Sequence, residues 1–210
     1  MGIPVLVLGA SGSGKSASIR NFSPEELGIF NVAGKPLPFK EGRKMAICET
    51  SDYKLIEKTL LAHKKKCYVI DDSQYLLAFQ SFQKAKQKGY DKFTDMAVDF
   101  YNLIQTVIKD TPEDCIVYFL HHSEIADDGM TIKAKTIGKM LDNQLTVEGL
   151  FSIVLLTQIR NKKHLFITQS DGTTTAKSPM GMLPEEMDNN LKAVDMAIRQ
   201  YYFEEETNND

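Results

Sequence analysis

Short, almost wholly apolar runs alternate along the chain with longer amphipathic stretches. IPVLVLG (residues 3–9), MAICE (45–49), CYVID (67–71), CIVYFLH (115–121) and FSIVLLTQI (151–159) each read as a strand buried on both faces. Between them, apolar positions recur at helical spacing. One helix is predicted from Gly14 to about Phe22, one over residues 52–65 around Leu55, Leu60 and Leu61, and others over 73–88, 94–109 and 188–202. Ser23-Pro24-Glu25-Glu26 reads as a cap and a short helical turn. Residues 31–42, with Gly34, Pro36, Pro38 and Gly42, read as loop, as does the polar stretch 124–133 around Asp127-Asp128-Gly129. HLFITQ and TTTAK flank Ser170-Asp171-Gly172, which predicts a hairpin turning at Asp171-Gly172. Strands alternating with helices imply an α/β fold: a mostly parallel sheet flanked by helices on both faces, closed by a C-terminal antiparallel hairpin. The expected organisation is one domain over residues 1–203 and a frayed acidic tail over 204–210.

Composition narrows the class only slightly. A chain of 210 residues suits one domain and buries roughly 70% of its unfolded surface. The net charge of −3 does not call for nucleic acid, so any DNA contact would need a local basic patch. Cys48, Cys67 and Cys115 are few, far apart and in strand-like runs, which reads as free thiols in a reducing cytoplasm. The apolar start is too short to span a membrane, lacks the basic flank of a signal peptide, and Leu6 breaks the myristoylation pattern.

The chemistry begins at Gly9-Ala10-Ser11-Gly12-Ser13-Gly14-Lys15-Ser16, which fits G-x-x-x-x-G-K-[ST] at every specified position and lies between a predicted strand and a predicted helix. Glycines let backbone N–H groups curl around a β-phosphate. The helix start points its positive end at the same anion, with Ala17 in its first turn. Lys15, read as an exposed loop side chain, bridges β and γ oxygens, and the Ser16 hydroxyl ligates Mg²⁺. The second carboxylate such a site needs is Asp71, at the end of an apolar strand, reaching Mg²⁺ through water. Asp72 fits either a general base or a helix cap. Glu49 ends the second predicted strand, where ligands bind in parallel sheets. It fits either an orienter of the attacking water or a solvated first-turn glutamate. His121 and His122 alternate across a strand, so only one of them meets a γ-phosphate, and His122 is the choice here. His63 and His164 show no zinc-ligand spacing.

Taken together, the P-loop, the strand ending in Glu49, the hhhDDS run at Asp71, His-His-Ser-Glu and TTTAKSPMGMLPEEM resemble compact phage-encoded ATPases with a RecA-like core. These are phage nucleotide-binding or AAA-family proteins, some of them Sak-type single-strand annealing proteins. The resemblance covers roughly residues 3–190. It implies a P-loop NTPase fold, ATP and Mg²⁺ as cofactors, and Glu49 as the catalytic glutamate. It also implies a homo-oligomer, ring or filament, that binds ATP near subunit interfaces and acts on single-stranded DNA in recombination or replication in the bacterial host cytoplasm. Related ring-forming ATPases carry K-x-R-x-G, whose cations reach the neighbouring subunit's γ-phosphate. Here Lys177 and Gly181 keep the spacing, but Pro179 stands where arginine would.

Basic tracks for DNA would be Lys133, Lys135 and Lys139, and Arg160, Lys162 and Lys163. Three alternatives compete. A small-molecule kinase would need an arginine-bearing lid, whereas Arg20, Arg43, Arg160 and Arg199 are scattered. A GTPase needs N-K-x-D, and Asn161-Lys162-Lys163-His164 lacks the aspartate. A nucleotide-gated adaptor differs from the ATPase only in turnover.

Overall fold

The computed structural model of the chain describes residues 1–137 and 146–203. Among the described residues, nine strands and four α-helices follow one another: β1 (Ile3–Gly9), β2 (Leu27–Asn31), β3 (Ala46–Glu49), α1 (Tyr53–Leu61), β4 (Cys67–Asp71), α2 (Gln74–Gln83), α3 (Asp91–Asp110), β5 (Ile116–Ile125), β6 (Ile132–Ala134), β7 (Ile153–Arg160), β8 (Lys163–Ile167), β9 (Glu186–Asp188) and α4 (Leu191–Phe203). The strand order is β3-β2-β4-β5-β1-β7-β8-β9, with β6 paired to β5. Strands β1 to β5 and β7 are mutually parallel. β6, β8 and β9 attach antiparallel to their neighbours.

β1, β4 and most of β5 and β7 have both faces covered, as their sequences require. β3, expected to be buried on both faces, is instead an exposed edge strand with Ile47 38% accessible. Along β1, Leu6 and Leu8 face one core with Ile56 of α1, Leu77 of α2 and Phe100 of α3. Val5 and Val7 face the other, with Ile19, Phe22 and α4 residues Leu191, Val194 and Ile198. The period of two splits each strand between two cores, giving the α/β sheet flanked by helices that the pattern predicts, in a Rossmann-like arrangement.

Four local expectations change. The helix predicted from Gly14 is a six-residue 3₁₀ helix, Ser16–Asn21. Pro24 follows closely, disfavours helical backbone at the residue before it, and the chain must enter β2 at Leu27. β2 itself escapes a search for apolar runs, because LGIFN is interrupted by Gly28 and ends in Asn31. That glycine is required, since a Cβ there would stand 2.7 Å from Cδ1 of Tyr68. The closing hairpin exists, between β7 and β8, but it turns at Asn161 (φ 51°) and Lys162 (φ 64°), not at Asp171-Gly172. Two consecutive left-handed residues match the strand twist in a two-residue turn. Asp171-Gly172 sits in a loop closed by Ser170 Oγ donating to the Thr174 carbonyl at 2.5 Å. TTTAK joins the sheet only through single bridges, Thr174 to Ile132 and Lys177 to Val154. Finally, the three cysteines are free as expected, but Cys48 is only half-buried, on the edge strand β3.

Candidate functional site

Three neighbouring strands, β4, β5 and β1, deliver their carboxyl ends to one place. Gly9 pairs in register with His122, and Ile70, just before Asp71, pairs with Phe119. The loop after β1 closes over these ends. A Cβ on Gly9 would lie 1.8 Å from Thr157 Oγ1 and 2.5 Å from Ser13 Oγ, so only glycine fits. Those two hydroxyls bond each other at 2.5 Å, and Thr157 Oγ1 donates to the Leu8 carbonyl at 3.0 Å. Gly12 (φ 78°) and Gly14 (φ 106°) take the left-handed backbone that glycine tolerates. Among the described residues, no acceptor takes the N–H groups of Gly12, Gly14 or Lys15. Unpartnered backbone donors curled around a concavity make an anion-binding nest. The 3₁₀ helix beyond is too short to supply a helix-terminus field, so an anion held here would rest on these amides and Lys15.

Lys15 is not the exposed side chain expected; only 5% of it is accessible. Its ammonium donates to the carbonyls of Gly9 (2.8 Å) and Ala10 (2.9 Å). Burial pulls its pKa down to about 8, against the opposing pull of Asp72 and Asp71. Ser16 Oγ donates to Asp71 Oδ1 at 2.8 Å. Burial raises the Asp71 pKa, while the Ser16 bond works the other way.

Asp72 takes the left-handed conformation (φ 58°) that turns its carboxylate into the same pocket. Lys35 Nζ lies 2.6 Å from its Oδ2, and His122 Nε2 lies 3.2 Å from its Oδ1. Burial alone would raise the Asp72 pKa, but His122 and Lys35 together outweigh it and hold the pKa down to about 2. The His122 contact is off hydrogen-bond alignment, which leaves that buried nitrogen without a hydrogen-bond partner. The ring packs edge-on against Tyr75. His121 points to the opposite face. It is fully buried, with Nδ1 2.9 Å from Ser73 Oγ and Nε2 2.8 Å from the Lys135 carbonyl.

The resulting pocket, about 290 Å³, is lined by Ser11, Gly12, Gly14, Lys15, Ser16, Ala17, Lys35, Asp71, Asp72, His122 and His164, with Pro36 and Pro38 as one wall. It thus gathers Lys15, Ser16, Asp71 and His122. Glu49 is elsewhere, at the exposed end of edge strand β3. Asn31 of β2 separates it from Asp71, so strand spacing puts its Cα roughly 10 Å from that of Asp71. Lys177 pairs by backbone with Val154 and does not line this pocket. Arg160 pairs with Glu186 at 2.6 Å and Lys133 with Glu124 at 3.4 Å, while Lys162 and Lys163 are exposed at the β7–β8 turn. Lys139 and the acidic tail lie outside the described residues. None of the pocket-lining residues is an arginine. Arg20 and Arg199 hold carbonyls at Asn189, Asp114 and Lys66 instead.

Sequence reasoning missed Lys35, Thr157 and His164. His164 Nδ1 lies 2.8 Å from the Ser13 carbonyl and packs against Gly14, bracing the loop from β8. Only the fold brings these three to the loop, so spacing gave no signal for them. A larger cavity, about 1,050 Å³, opens at the opposite pole between Met1, Phe151 and Tyr202 and contains none of the expected site residues.

No protein-family model matches the chain, and no curated protein is significantly similar to it. Among the described residues, no three His, Cys, Asp or Glu side chains converge as a metal site, and no helix is long and apolar enough to cross a membrane. A Mg²⁺ bound here would have to draw most of its ligands from phosphate and water. One hydroxyl bonded to one buried carboxylate beside an anion nest fits that requirement.

Proposed function

We propose that the chain is a P-loop ATPase with a RecA-like core that binds Mg·ATP and hydrolyses it. One observation carries the reading. The Ser16 hydroxyl bonded to Asp71 stands beside an immobilised Lys15 and three backbone N–H groups with no acceptor, at the carboxyl ends of adjacent parallel strands. Gly9 to Ala17 wrap the phosphates. Ser16 would ligate Mg²⁺ and Asp71 would hold one of its waters; the ion, when bound, neutralises charge on the β and γ oxygens. Water attacks the γ-phosphorus, the bond to the β–γ bridging oxygen breaks, and ADP and phosphate leave. Of the two carboxylates open for polarising that water, Asp72 lines the pocket and Glu49 does not. His122, whose Nε2 lies 3.2 Å from Asp72 Oδ1 without an aligned hydrogen bond, would face the γ-phosphate. The absence of arginine from the described pocket lining favours hydrolysis over a lidded kinase reaction.

The wider role rests on the resemblance: a homo-oligomer in the host cytoplasm, working on single-stranded DNA in phage recombination or replication, with Lys177 serving the neighbouring protomer's pocket. Lys162 and Lys163 are exposed at the same pole as the nucleotide and would meet DNA backbone there.

Titration calorimetry with Mg·ATP tests the first part. The parent binds in a magnesium-dependent manner, and Lys15→Met weakens binding by at least about tenfold, the scale of one charge-assisted contact. Equal affinity in parent and variant would sink the reading. ATP turnover with and without single-stranded DNA at two salt concentrations, alongside molar mass by light scattering, tests the second part. DNA-stimulated turnover in an oligomer supports it. A monomer that phosphorylates nucleosides or nucleotides, or that binds ATP without turnover, overturns it.

A further inference from the structure

We infer that Lys35 reads the terminal phosphate of the bound nucleotide, exchanging its contact with Asp72 for one with that phosphate, and so sets the preference for a triphosphate over a diphosphate. The inference rests on the phosphate-site reading above and adds a residue to it. Lys35 belongs to the loop after β2. Its backbone is anchored, because Asn31 Nδ2 donates to the Lys35 carbonyl at 2.7 Å and Asn31 lies in register with Asp71. Pro36 and Pro38 stiffen the chain beyond it. The head group is not anchored in the same way. It sits 2.6 Å from Asp72 Oδ2 and 5.4 Å from the centroid of the Tyr75 ring, with 60% of the side chain exposed. It can therefore swing away from Asp72 without unpacking anything, but the carboxylate it leaves is only 11% exposed, so it moves only toward an anion that replaces that contact.

Lys15 behaves oppositely. It is buried and fixed by two carbonyls. The pocket is therefore lined by one immobile and one movable ammonium together with the carboxylates of Asp71 and Asp72. A diphosphate held in the Gly12–Lys15 nest leaves the Lys35–Asp72 pair in place. A third phosphate extends toward that pair, bringing anionic oxygens that attract the ammonium and repel the carboxylate. Among the described lining residues there is no arginine, and Lys35 is the cation whose head group is exposed enough to move. Its departure leaves Asp72 facing the γ-phosphate with only His122 beside it.

Calorimetry separates this role from a structural one. Affinities for Mg·ADP and for the magnesium complex of a non-hydrolysable ATP analogue are measured on the parent, Lys35→Met, Lys35→Arg and Lys15→Met. In Lys35→Met, triphosphate affinity should fall about tenfold or more while ADP affinity stays within about twofold, the loss of one charge-assisted contact. Lys35→Arg should recover most of the difference. Equal loss for both nucleotides, or loss for neither, overturns the role of Lys35 while the phosphate site stands. A parent that binds neither nucleotide, or a Lys15→Met variant that binds both like the parent, overturns the phosphate site and this inference with it.

Discussion

At Gly9 the space for a side chain is already taken by two hydroxyls that bond each other, Ser13 Oγ and Thr157 Oγ1. Gly9→Ala must push the loop away from β7 or break that pair. Either should cost about 1–3 kcal/mol, as overpacking of a tight site does, read as a lowered urea midpoint. A loss near zero would mean that the loop yields freely, and the preorganised anion nest would lose its main support. Lys15 shows why the loop must be stiff. A buried ammonium held below its usual pKa is unfavourable in isolation, and the fold sustains it by supplying the carbonyls of Gly9 and Ala10.

Strand β5 places two adjacent histidines in different environments, because neighbouring residues on a strand point to opposite faces. His122 faces the pocket. His121 is a buried tie between β5, the start of α2 through Ser73, and the segment after β6 through Lys135. Burial brings the His121 pKa down to about 4. Between the ordinary value of about 6.5 and that value, the unfolded chain binds a proton that the folded chain refuses, so this residue makes stability fall as the pH drops through that window. Urea titrations at several pH values should show a steeper acid loss for the parent than for His121→Gln, since carboxylates contribute to both alike. Identical slopes would refute the buried neutral tie.

For the molecule as a whole, a buried ion-pair network and the proposed phosphate pocket lie at opposite poles. At the amino ends of β4 and β5, Arg199 of α4 bonds Asp195 at 2.9 Å and the carbonyls of Asp114 (2.9 Å) and Lys66 (3.0 Å). Asp195, almost fully buried, also accepts from the Tyr118 hydroxyl at 3.2 Å. Arg199→Met strands that carboxylate and should cost about 3–5 kcal/mol. Nucleotide affinity measured well below the unfolding transition should not change, because the phosphate pocket is built at the other end of the same strands. A comparable fall in affinity would mean that the two poles are coupled.

The α/β class, the five predicted strands and the Gly9–Ser16 loop were legible from the chain alone, because burial of the central strands and a glycine-rich turn after a strand each impose a local residue pattern. The sequence points to Ser16 and Asp71 separately, each for an expected Mg²⁺; that their side chains bond each other directly is seen only in the structure. What the chain could not disclose is which strand ends become neighbours. Glu49 and Asp71 both end apolar runs, yet β2, its run broken by Gly28, intervenes and carries Glu49 away. Lys35, Thr157 and His164 come from distant segments whose local patterns speak only of loop or strand. The hairpin turn moved to Asn161-Lys162 because strand pairing across β7 and β8 set the register, overriding the stronger local signal at Asp171-Gly172. Contacts between residues far apart in sequence are decided by how whole elements pack, and only the tertiary structure holds that information.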